Sequence, residues 1–106
     1  MDISLEGWSI GTADAAWAPW GADDKARAQV LASGDGYLLV LVEAQPGYRS
    51  MAHEHAHTEF LFVLDGVVDN QGDHMKPGGG YIAAAGSTHV DFGTETGARY
   101  LSIFKL

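Results

Sequence analysis

The sequence predicts an all-β domain, an antiparallel barrel or jelly roll. Three observations predict it. Eight or more short apolar segments alternate with turn clusters of Gly, Pro, Asn and Asp. Two of those segments, residues 37–42 and 60–64, are apolar without interruption. No stretch carries the spacing of an amphipathic helix.

Taken in order, residues 1–11 mix apolar and polar side chains, with short strands expected at 3–5 and 8–10. Residues 12–24 hold Trp17, Pro19, Trp20 and Gly21 and read as a loop folded over the domain body. The tryptophan rings serve there as core cover, or one of them walls a pocket. Residues 23–29 read as a strand lead-in rather than a helical turn, and 28–31 as the strand itself. Ser33-Gly34-Asp35-Gly36 is a turn. The run Tyr-Leu-Leu-Val-Leu-Val at 37–42 lacks the alternation of a strand with one wet face. Both its faces should therefore be buried, the second against another sheet or another subunit. Pro46-Gly47 ends it, and residues 48–55 form a short strand. Phe-Leu-Phe-Val-Leu at 60–64 follows, again apolar on both faces. After the Asp65-Gly66 turn come strands at 67–70 and 74–76, joined by Asn70-Gln71-Gly72-Asp73. Pro77-Gly78-Gly79-Gly80 interrupts the ladder. Strands at 81–84, 88–92 and 98–105 complete the chain, separated by Ala85-Gly86-Ser87 and residues 93–97.

A chain of 106 residues suits one domain, with 1–27 as N-terminal strand and loop cover and 28–106 as the barrel. The net charge of −8 lacks the basic patches that phosphate backbones or anionic membranes require, so neither is an expected partner. The absence of cysteine excludes disulfides and thiolate metal sites. No signal-peptide pattern and no apolar run of membrane-spanning length are apparent, and the expected setting is cytoplasmic.

The chemistry is concentrated in residues 47–66. His53, His55, His57 and Glu59 fall within seven residues, flanked by Gly47 and Gly66. Neutral imidazole and carboxylate form the ligand set of one divalent ion such as Fe, Zn, Mn or Ni. His53 and His55 are two apart, which places them on one side of a strand. Glu59 follows after a gap long enough for the chain to turn and present it from the next strand.

The pattern Gly47-x5-His53-x-His55-x3-Glu59-x6-Gly66 matches the first cupin motif at every defined position. A second stretch, Gly78-x5-Ala84-x-Gly86-x2-His89, resembles the second cupin motif, with Ala84 where proline is usual. The run from Asp69 to Tyr81, the segment Ala85-Gly86-Ser87-Thr88-His89, and Trp17-Ala18-Pro19 resemble one subgroup of that superfamily. It contains the zinc-binding cupin domain of anti-sigma factors and the iron-dependent dioxygenases that cleave acetylacetone. The resemblance implies a double-stranded β-helix (jelly-roll) barrel, most often a homodimer. It implies His53, His55, Glu59 and His89 as metal ligands. The anti-sigma N-terminal helical domain has no counterpart here, so a complete anti-sigma factor is not expected.

Such an N3O set leaves coordination positions open for a chelating substrate and for dioxygen or water. The expected function is a metal-dependent dioxygenase acting on a small enolisable diketone-like compound, with Glu59 either bound or displaced and acting as a base. A non-catalytic zinc-binding sensor or ligand-binding domain, and a cupin isomerase or cyclase, are the alternatives. His57 is either a solvated loop residue or a donor beside the metal ligands. Arg49 either meets a substrate anion or sits in a surface salt bridge. Phe62, Tyr81 and Phe92 are core residues or pocket walls, and the alanines at 83–85 leave room for a pocket to extend. His74 and Glu54 are expected to face outward.

Overall fold

A computed structural model describes residues 10–21 and 23–106. The strands expected at 3–5 and 8–10 lie outside these residues, apart from Ile10, which is in no strand. The described residues contain β-strands and no helix. The strands are β1 (Ala18–Pro19), β2 (Ala26–Gly34), β3 (Tyr37–Ala44), β4 (His53–Glu54), β5 (Glu59–Gly66) and β6 (Val68–Asn70). They continue with β7 (Asp73–Met75), β8 (Gly80–Ala83), β9 (Thr88–His89), β10 (Phe92–Gly93) and β11 (Ala98–Lys105). No helix among the described residues is long and apolar enough to cross a membrane.

A six-stranded sheet runs in the order β1-β2-β3-β11-β5-β8, a three-stranded sheet in the order β10-β6-β7, and β4 pairs with β9. Every pairing is antiparallel. Two hairpins close through two-residue loops whose residues both have positive φ, Asp35-Gly36 at 54° and 82° and Gln71-Gly72 at 54° and 88°. Mirror-image turns of this kind match the right-handed twist of the strands they join. Gly66, the last position of the first motif, has φ 74°, and a Cβ there would stand 2.1 Å from the carbonyl oxygen of Gly97. Only glycine tolerates both the backbone angle and the close approach.

Alternation in the large sheet sends one set of side chains inward. Val40 and Val42 of β3, Leu61 and Val63 of β5, and Tyr100 of β11 are buried there, with Val68 and Phe92 opposing them from the small sheet. Register makes this one surface: Val42 and Val63 both pair with Tyr100, and Val40 and Leu61 both pair with Ser102.

The outer faces differ from expectation. Residues 37–42 and 60–64 are not equally covered on both sides. Over β2 and β3 the chain covers itself: Gln29 is 2% exposed, and its amide donates to the carbonyls of Ala13 at 3.0 Å and Ala15 at 2.6 Å. Leu41, paired with Gln29, is 9% exposed. Over β5 no such cover exists among the described residues, and Phe60, Phe62 and Leu64 are exposed, together with Ile82 of β8 and Ile103 of β11. The strand expected at 88–92 is split between two sheets, β9 pairing with β4 and β10 with β6. The side-chain oxygen of Gln71 accepts from the amides of Val90 and Asp91 at 2.9 and 3.0 Å, which fixes the bend between them. The expected strand at 48–55 is an isolated bridge, Arg49 to Gly93, followed by β4.

Candidate metal centre

The pairing of β4 with β9 sets His53 directly opposite His89. The ladder continues to His55 through backbone bonds, His55 N–H to the Ser87 carbonyl at 2.8 Å and Gly86 N–H to the His55 carbonyl at 2.7 Å. Two residues on, His55 therefore lies beside the same pair. The three imidazoles converge, with centroids 5.1 Å apart for His53–His55, 5.1 Å for His53–His89 and 4.4 Å for His55–His89. One nitrogen from each lies within 4.8 Å of the others.

Each ring is prepared in a different way. Nδ1 of His53 stands 2.9 Å from the carbonyl of Met51 and 3.3 Å from Ser50 Oγ. A carbonyl only accepts, so Nδ1 carries the proton and Nε2 keeps its lone pair. His55 is buried, and its Nε2 has no hydrogen-bond partner. A buried, unpartnered polar atom is costly without a ligand. His89 is buried, and its pKa is lowered, first by desolvation and then by the neighbouring His55. Its ring is thus held neutral, the form that binds metal. These residues fit a divalent ion.

Glu59 opens β5 beside this group. Its Oε1 accepts from the Tyr81 hydroxyl at 2.5 Å and lies 3.6 Å from His89 Nε2, while Oε2 accepts from Ser102 Oγ at 3.1 Å. Tyr81 also lies 3.0 Å from His89 Nε2. Its pKa is raised, foremost by burial and then by the Glu59 charge, so the phenol stays protonated.

The carboxylate and His89 border an inner cavity of about 70 Å³, whose other walls include Leu61, Tyr81, Phe92 and Tyr100. An outer cleft of about 250 Å³, lined by His57, Phe104 and Lys105, lies on the other side of Trp20, His53 and Glu59, which border both spaces. Trp20 packs against Phe104 with centroids 6.2 Å apart, so one ring of the N-terminal loop does wall a pocket.

Among the sequence candidates, Tyr81 and Phe92 face the inner cavity. His57 and Glu54 are exposed at the outer cleft. Phe62 does not reach the site: it pairs with Leu101 and points to the open outer face of the sheet. Arg49 takes the salt-bridge role, 3.7 Å from Asp69, 3.9 Å from Asp91 and 3.7 Å from Glu95. Ala85 borders a separate surface pocket with His57 and Phe60. His74 is exposed as expected and bonds Asp69. Sequence reasoning missed Ser50 and Ser102. Ser102 carried a signal, being a hydroxyl at an inward position of β11 between Tyr100 and Phe104.

Residues 6–104 match the family described as the ChrR cupin-like domain. Solved structures with the same fold include a protein assigned as an acetylacetone dioxygenase from Methylibium petroleiphilum PM1, 19% identical with a TM-score of 0.78, covering 86% of this chain and 71% of that one. The acetylacetone dioxygenase from Acinetobacter johnsonii is 14% identical with a TM-score of 0.77, covering 92% of this chain and 72% of that one. The Rhodobacter sphaeroides complex of SigE with the anti-sigma ChrR matches at 22% identity and a TM-score of 0.75, covering 88% of this chain and 51% of that one. The chain thus spans about half the length of that relative. No curated protein sequence matches at a significant level.

Proposed function

We propose that this chain, which belongs to the ChrR cupin-like domain family, is a metal-dependent dioxygenase acting on a small enolisable diketone-like compound. The observation that carries the reading is the unpartnered buried Nε2 of His55 among three converging imidazoles, with a carboxylate beside them at a small cavity. His53, His55 and His89 would hold the ion. A bound divalent ion supplies the positive charge that stabilises an enolate and the chemistry that engages dioxygen. The chain does the rest. Glu59 takes the acidic proton from the carbon between the two carbonyls of the substrate. Tyr81, kept protonated, holds Glu59 in place by donating to its Oε1. Leu61 and Phe92 supply apolar wall to an inner cavity whose remaining lining, Glu59, Tyr81 and Ser102 among it, is polar. The cavity's volume of about 70 Å³ restricts what reaches the inner side to small groups, while the outer cleft offers about 250 Å³.

The test is oxygen consumption by iron-loaded protein on a panel of β-diketones. Turnover that requires iron supports the proposal; tightly held zinc and no turnover after iron loading turns the assignment to a zinc-holding sensor domain. That second reading is supported by the family match, which is named for ChrR, the anti-sigma protein of the Rhodobacter sphaeroides complex.

A second copy of the chain is the partner that covers the open outer face. The supporting observation is a continuous apolar surface carrying Phe60, Phe62 and Leu64 of β5 with Ile82 and Ile103 beside them. A patch of neighbouring large apolar side chains is unusual on a monomer. A cytoplasmic setting accords with the absence of cysteine.

A further inference from the structure

Trp20 stands where two spaces meet. The inner cavity of about 70 Å³ and the outer cleft of about 250 Å³ share His53, Glu59 and Trp20 as bordering residues. Among the described residues, Trp20 is the one apolar side chain common to both. Its position is fixed from several directions. Its backbone N–H donates to the Ala26 carbonyl at 2.9 Å, which extends the pairing of β1 with β2. Its ring meets Phe104 with the planes tilted by 51° and packs against the core. Gly21 follows with φ 80°, and a Cβ there would stand 3.2 Å from the ring of Tyr48, a buried wall of the inner cavity. Trp17 differs: its ring stacks with the Arg27 guanidinium at 4.2 Å, and it borders neither space.

We infer that Trp20 determines substrate shape by separating the two arms of the diketone, so that the substrate is an unsymmetrical β-diketone with a methyl-sized group at one end and a ring or branched chain at the other. The inference rests on the diketone reading above and deepens it to a substrate class. A β-diketone that turns both carbonyl oxygens toward the imidazoles sends its two end groups away from each other. Volume decides which end goes where. The inner cavity has roughly half of the ~150 Å³ with which an apolar cavity takes up benzene, enough for a methyl or ethyl group and too little for a ring. The outer cleft exceeds that volume and offers the aromatic faces of Trp20 and Phe104 to an apolar arm. Swinging the indole aside to join the two spaces would break its packing against Phe104 and the core. Trp20 acts by shape alone and moves no proton.

The experiment titrates zinc-loaded protein with diketones and follows the ultraviolet absorption of the bound enolate; zinc is redox-inert, so binding is read without turnover. The probes are acetylacetone with two methyl ends, benzoylacetone with one methyl and one phenyl, and dibenzoylmethane with two phenyls. Each variant is first brought to the same zinc content as wild type. Wild type is expected to bind dibenzoylmethane at least about a hundredfold more weakly than benzoylacetone. Trp20→Ala is expected to narrow that ratio to within about tenfold, and Trp20→Leu to fall between the two. Trp17→Ala keeps the wild-type ratio. A ratio of two ligands on one protein cancels any general loosening of the site, so a merely structural role for Trp20 would leave it unmoved. Trp20→Leu decides the question if Trp20→Ala does not fold. Wild type that binds dibenzoylmethane as well as benzoylacetone overturns the inference. So does a ratio that stays at wild type in the Trp20 variants, or one that narrows equally in Trp17→Ala. Those results leave the diketone reading standing. Zinc-loaded wild type that binds none of the probes overturns the diketone reading and this inference together.

Discussion

Glu59 and Tyr81 sit on adjacent antiparallel strands, and the tyrosine hydroxyl donates to Oε1 of the glutamate at 2.5 Å. The contact ties Glu59, the only carboxylate among the described residues that line the inner cavity, to the wall of that cavity. It also makes Glu59 the best-placed base for a substrate proton. Replacing Glu59 with Gln preserves size and hydrogen bonding but removes the base. Diketone turnover should fall by about 10² to 10⁴-fold, while metal content and melting temperature stay near wild type. Steady-state kinetics beside metal analysis checks this. Unchanged turnover would remove Glu59 from the reaction.

The small sheet carries a pH-dependent tie away from the metal centre. His74 of β7 bonds the buried carboxylate of Asp69 on β6, which Arg49 also approaches at 3.7 Å. Its pKa is raised, first by that hydrogen bond and then by the Asp69 charge. A raised histidine pKa means the protonated ring is favoured in the folded state. The stabilisation is full below the ordinary value of about 6.5 and is lost as pH rises through the raised one. Thermal unfolding of wild type and His74→Ala should differ most below the ordinary value of about 6.5 and converge as pH rises above the raised one. A difference that does not change with pH would contradict the tie.

The open face of the large sheet predicts self-association. Phe60→Asp or Phe62→Asp places a charge in the middle of the apolar surface without touching the inner core. Wild-type protein should sediment as a dimer and either variant as a monomer with its secondary structure intact. Wild type that sediments as a monomer at high concentration would remove the second copy from the account.

Much of the fold was legible because turns and composition are local. The two hairpin loops at Asp35-Gly36 and Gln71-Gly72 announce themselves by residues that tolerate positive φ. The convergence of His53, His55 and His89 was legible because both motifs fix their spacing around a turn. What each apolar run does with its second face was not. Phe-Leu-Phe-Val-Leu has no alternation to read, so nothing local tells that Leu61 and Val63 are buried while Phe60 and Phe62 stay open. The bend between Val90 and Asp91 is set by Gln71, nineteen and twenty residues earlier in the chain. The grip on Glu59 was hidden for the same reason: Ser102 is 43 residues away from it in sequence and meets it only through strand register.

The central claim is that three imidazoles hold one divalent ion, and metal content after purification without chelators tests it most directly. Wild-type protein and His57→Ala should each retain about one ion per chain, because His57 stands exposed at the outer cleft, while His55→Ala should retain none. A full equivalent of metal in His55→Ala, or none in wild type even after reconstitution, would contradict the account.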